Sequence, residues 1–165
     1  MVQMEKQLLS ALRANNKLLN ELSVRYEVPF QSRLPETGMS ISCPEDLMNI
    51  LGKEMGELSQ EQLRVITLNT RNDVMEIVVV YHGNVNSSMV RPAEVLRPAV
   101  LSGVPSILIT HNHPSGDPTP SGADVSITKD IYDAAKLMAI DLMDHIVIGR
   151  WPKFVSMKEA KLFGQ

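Results

Sequence analysis

Strand-like apolar runs and helix-like repeats alternate along this chain, and a chain patterned in this way has to cover a sheet with helices. The clearest case spans Val104 to Ile148. Val104–Thr110 predicts a strand, Asp124 to about Ile140 a helix, and Leu142–Ile148 a second strand closed by Gly149. Upstream, "LRVITLNT" and "VMEIVVVYHG" flank the short polar break "TRND" and predict a hairpin. The run Ile77–Tyr81 is apolar on both faces, which predicts a central strand. "SCPEDLMNILGKEMGEL" predicts a helix with Ser42 as its N-cap, Pro44 and Glu45 in the first turn and a Leu47/Leu51/Met55 stripe. Another helix should begin near Arg91–Pro92 and be kinked or shortened by Pro98. "RWPKFVSMKEAKLF" predicts a short edge element and a terminal turn of helix. The expected fold class is α/β, a mixed β-sheet sandwiched by helices over residues 42–165.

Residues 1–40 stand apart as a helical extension and linker. Leu8, Leu9, Leu12, Leu18, Leu19 and Leu22 suit an amphipathic helix or two short ones, and "EVPFQSRLPETGMSIS" reads as a linker. The extension is expected to dock or to join a homodimer, not to carry chemistry. With 165 residues the chain has room for one domain and a small appendage. A net charge of −3 makes no general case for nucleic acid, and a single cysteine, Cys43, cannot form an internal disulfide. No window supplies the roughly 18 apolar residues of a membrane span, and the opening residues lack an apolar signal region. A cytoplasmic protein with no membrane partner is expected.

The chemistry concentrates in "ILITHNHPSGDPTPSGADVSITKD", from Ile107 to Asp130. In an extended backbone, residues two apart point to one side, so His111 and His113 can converge at the carboxyl edge of the sheet. Asp124 opens the next helix, eleven residues beyond His113. Two imidazoles and a carboxylate make a three-ligand set of the kind that leaves catalytic zinc a fourth position, although iron or manganese would accept it too. Pro114, Pro118 and Pro120 stiffen the intervening loop. Ser121-x-x-Asp124 also has the form of a helix capping box, so capping and metal binding compete for Asp124. Nearby, Asn112 is expected to anchor the loop, Asp117 to sit in a turn, and Asp144–His145 to be a satisfied buried pair or one that supports the ligands from behind, not a fourth ligand.

His111-x-His113, seven residues, Ser121, two residues and Asp124 resembles the His-x-His-x7-Ser-x2-Asp signature of the JAB/MPN+ (JAMM) metalloprotease domains. "HNHPSGDPTPSGAD" is similar to the RadC branch, and "LNTRNDV", "NSSMVRPAEVLRPAV" and "IDLMDHIVIG" extend the likeness over about Ser42 to Phe163. The resemblance implies a JAB/MPN, cytidine-deaminase-like fold with Zn2+ on His111, His113 and Asp124, and Ser121 steadying an oxyanion. It also implies a glutamate as general base. Glu61, before "QLRVITL" where JAMM proteins commonly place theirs, is favoured over Glu76 in the partner strand. The activity implied is metal-dependent hydrolysis of a peptide or isopeptide bond in a protein or peptide substrate. The alternative is a DNA-associated accessory protein of DNA repair or a mobile element. Residues 1–40 show no helix-hairpin-helix signature of the kind RadC proteins carry, which weighs against DNA.

Overall fold

The computed structural model describes residues 31–33, 39–83 and 90–164; the helix expected over residues 1–26 lies outside them. Six strands form one sheet: β1 (Gln31–Arg33), β2 (Gln62–Leu68), β3 (Val74–His82), β4 (Ser106–Asn112), β5 (Asp141–Ile148) and β6 (Phe154–Ser156). Their order is β1-β3-β2-β4-β5-β6, and every pairing is antiparallel except β4 with β5. The helices are α1 (Pro44–Leu47), which continues through a π-helical stretch (Met48–Gly52) into α2 (Lys53–Gly56), then α3 (Pro92–Ser102) and α4 (Gly122–Leu137). The fold is therefore α/β with a mixed sheet between helical layers, as the pattern of apolar runs predicts.

The pleat of β4 sorts the two layers. Ile107 and Ile109 face one core together with Val65, Val95, Leu96, Ile131 and Ala135, beneath α3 and α4. Leu108 faces the other, with Ile66, Ile146 and the Leu47/Leu51/Met55 stripe. Because side chains alternate along a strand, His111 follows Ile107 and Ile109 onto the α4 side. The site is thereby assigned to one face before any polar contact is considered.

Several details differ from expectation. Cys43, not Ser42, occupies the N-cap of α1, because the Asp46 carboxylate accepts from both backbone amides, at 2.8 Å from Ser42 and 3.1 Å from Cys43. The run Ile77–Tyr81 lies inside the sheet as expected, paired with β2 on one side and over Ile77–Val79 with β1 on the other, and β2 and β4 are the two middle strands. Helix α3 runs on through Pro98 to Ser102. Proline removes one amide donor, but Pro98 is buried on the same face as Val95, Leu96 and Ala99, and that packing outweighs one lost bond. Residues 157–161 form one hydrogen-bonded turn, the Ala160 amide donating to the Ser156 carbonyl at 3.1 Å, and Lys161 at a left-handed φ of 57° stops it from growing into a helix. Gln31–Arg33, inside the segment expected to be linker, pairs with Ile77–Val79. Among the described residues no helix is long and apolar enough to cross a membrane.

Candidate metal centre

The carboxyl end of β4 carries the site. His111 is the penultimate residue of the strand and is buried; His113 lies one residue past its end and is 19% exposed through its side chain. The His113 amide donates to the Ile148 carbonyl at 2.8 Å, tying the loop to β5. From there Gly116, at φ +85°, turns the chain, and its carbonyl accepts from the Arg150 amide at 3.0 Å. Gly149 closes the other side so tightly that a Cβ would stand 2.5 Å from the Gly116 carbonyl oxygen and 2.8 Å from Pro118 Cδ. Gly149→Ala is thus expected to push the His113 loop off β5 and cost about 1–3 kcal/mol, read as a lowered midpoint in urea.

Asp124 reaches the histidines from the first turn of α4. The Ser121 amide and hydroxyl donate to Asp124 Oδ2 at 2.6 and 2.7 Å, and the Asp124 amide donates back to Ser121 Oγ at 3.2 Å. This is a complete capping box. Its carboxylate still faces both rings: Oδ1 is 3.4 Å from His111 Nε2, and Oδ2 is 3.6 Å from His113 Nε2. Capping and ligation do not compete, because the cap is what aims the carboxylate.

The two Nε2 atoms are 3.0 Å apart. Donors about 2.0–2.1 Å from a tetrahedral metal stand about 3.3 Å from one another, so separations of 3.0, 3.4 and 3.6 Å match the spread of such a site. The protonation state agrees at His113. Its Nδ1 is 2.8 Å from the Asp117 carbonyl, which only accepts, so Nδ1 carries a proton and Nε2, beside Asp124 and His111, is left to hold a second proton or a cation. The residues present therefore fit a divalent cation with nitrogen and oxygen ligands.

Glu61 completes the cluster: one carboxylate oxygen and the two histidine nitrogens all lie within 4.8 Å of one another. Asn112, between the two histidines, explains this placement. Its Oδ1 accepts from the Gln62 amide at 2.8 Å and its Nδ2 donates to the Gln60 carbonyl at 3.1 Å. The side chain thus grips the peptide groups on either side of Glu61, a different task from the loop anchor expected of it. Glu76 is remote: it pairs with Thr67, five residues along β2 from Gln62, about 17 Å at the rise of a strand.

Beneath His111 lies a buried polar chain through His145, the supporting place that the sequence left open for the Asp144–His145 pair. His111 Nδ1 is 2.8 Å from His145 Nε2, and His145 Nδ1 is 2.6 Å from Thr128 Oγ1. Asp144 is the satisfied neighbour expected, accepting from Ser156 Oγ at 2.5 Å and from the His145 and Lys158 amides at 2.7 and 3.0 Å.

Burial pushes His111 down to about 4, Asp124 partly offsetting this and His113 adding to it. His145 falls too, first through burial and then through the His111 ring. Burial alone would raise Asp124, yet the hydrogen bond with His113, the His111 charge and the Ser121 hydrogen bonds hold it well below the usual carboxylate range. His113 is raised, first by its bond with Asp124. A histidine whose pKa is depressed by folding contributes stability above its unfolded value near 6.5, and loses it as pH falls towards 4. His113 acts oppositely, as one raised ring against the two lowered ones, His111 and His145. The metal-free protein is expected to lose stability steadily between pH 6.5 and 4, as urea titrations at stepped pH would show.

A family model described as RadC-like JAB domain matches residues 41–162. The chain is similar to a UPF0758 protein of Clostridium beijerinckii, 48% identical over 124 residues, covering 75% of this chain and 54% of that protein. It is 46% identical over 127 residues to one from Roseiflexus castenholzii, covering 77% and 54%. Against one from Clostridium botulinum it is 45% identical over 141 residues, covering 86% and 60%. The chain thus spans between half and two thirds of the length of these relatives.

Proposed function

Because the chain belongs to the RadC-like JAB domain family, we propose that it is a zinc-dependent hydrolase of peptide or isopeptide bonds. The observation that carries this reading is the cluster of the His111 and His113 nitrogens with a Glu61 carboxylate oxygen at the sheet edge, with the Asp124 carboxylate facing the same two rings. His111 and His113 would hold zinc through Nε2 and Asp124 through its carboxylate. Zinc, when bound, supplies a Lewis acid for the scissile carbonyl and lowers the pKa of a coordinated water towards about 7. Glu61, grouped with the same two nitrogens, would accept the proton of the attacking water and pass it to the leaving amine. The Ser121 hydroxyl, which donates to Asp124 Oδ2, would have to turn that proton from the carboxylate to steady a developing oxyanion.

Chelation is expected to abolish cleavage of short peptides and of an amide joining a carboxyl-terminal tail to a lysine, and one equivalent of zinc to restore it. Retention of cleavage after complete metal removal would refute the reading. So would metal-dependent cutting of DNA by a protein that leaves every amide intact.

A further inference from the structure

Histidine has two ring nitrogens, and a neutral imidazole carries its proton on only one. A ligand that binds through Nε2 must therefore keep its proton on Nδ1. His113 is held in that state by the Asp117 carbonyl. His111 has no carbonyl at Nδ1; its neighbour there is another imidazole, His145, which either donates or accepts. The tautomer of His111 is thus decided one residue further away.

Thr128 decides it. Its hydroxyl has one proton and two near partners: the Asp124 carbonyl at 2.5 Å and His145 Nδ1 at 2.6 Å. The carbonyl can only accept, and two oxygen lone pairs facing each other at 2.5 Å without a proton would repel. The hydroxyl proton therefore points back along α4 to Asp124, four residues earlier. Thr128 Oγ1 is left as an acceptor, so His145 carries its proton on Nδ1 and offers Nε2. His111 then donates from Nδ1 to His145 Nε2, and His111 Nε2 is left bare, facing His113 and Asp124. Every member is fully or almost fully buried, so water does not exchange these roles.

We infer that Thr128 and His145 are positioning residues that set His111 in the Nδ1–H tautomer and thereby present its Nε2 to the metal. The inference rests on the metal-centre reading; where no ion is bound, the 3.0 Å contact between the two Nε2 atoms needs a proton of its own, which His113 supplies to the bare His111 nitrogen. It also gives the backbone of Asp124 a second function. The residue whose carboxylate faces the centre supplies, through its carbonyl, the acceptor that orients the relay beneath it.

The test is ring-nitrogen NMR on the metal-free protein at neutral pH, combined with zinc titration. Wild type is expected to show His111 and His145 both protonated at Nδ1. Thr128→Val, close in shape but without the hydroxyl, should divide His111 between tautomers and weaken zinc binding by about 10–100-fold. Thr128→Ser should restore both, which a purely packing role would not predict. His111 protonated at Nε2 in wild type overturns the inference, and this result needs no variant to fold. A folded Thr128→Val with unchanged tautomer and zinc affinity overturns it as well. Nδ1–H at His111 without any zinc uptake supports the relay and refutes the metal reading instead.

Discussion

His113→Ala is expected to remove stoichiometric zinc while leaving the fold intact. His113 lies beyond the end of β4 and is partly exposed, so its loss opens no cavity in the core. The direct structural cost is one hydrogen bond to the Asp117 carbonyl, about 1 kcal/mol. The effect on the metal is far larger. Removing one of three protein ligands should exceed the 10–100-fold that loss of an outer partner costs, so zinc affinity should fall by more than about 100-fold. A thermal shift separates the two effects. Zinc at 100 times its dissociation constant stabilises the wild type by about 2.7 kcal/mol, whereas the variant should melt alike with and without zinc. If His113→Ala still takes up one equivalent of zinc and is stabilised by it, the proposed centre is wrong.

Glu61→Gln should behave in the opposite way. The amide keeps the size and hydrogen-bonding reach of the side chain but cannot take a proton. Zinc binding should persist, and cleavage should fall by about 10²- to 10⁴-fold, the usual contribution of a general base. The comparison also assigns the two acids. Asp124 stands within 3.6 Å of a ring nitrogen on each side, and Glu61 shares the wider 4.8 Å cluster with the same nitrogens. Should Glu61→Gln lose zinc as His113→Ala does, while Asp124→Asn keeps it, the two carboxylates exchange roles.

How much of this was legible in the sequence depended on distance along the chain. The ligand-bearing loop and helix start lie within fourteen residues, His111 to Asp124, so spacing and turn chemistry suffice to bring them together. The existence of β2 to β5 and of the helices followed from apolar periodicity for the same local reason. What stayed hidden depended on which strands become neighbours. His145 lies beside Ile109 in the β4–β5 pairing, which no local pattern reports, so its contact with His111 could not be read. Glu61 reaches the site because Leu63 pairs with His111 across β2 and β4, a register set by the assembled sheet. Pro98 misled in another way: a local rule about amide donors lost to the packing of a whole helix face.

The grip of Asn112 on the peptide groups flanking Glu61 has a mechanical consequence. His111, Asn112 and Glu61 belong to adjacent paired strands and are cross-linked by that one amide, so they translate together if the sheet flexes. Asp124 is mounted on α4, and the same helix reaches the imidazoles from below, Thr128 through His145 to His111. A displacement of α4 therefore pulls on the carboxylate and on the His111 ring together, while the Asn112 link holds Glu61 to β4. The sheet and the helix hold His111 from two sides.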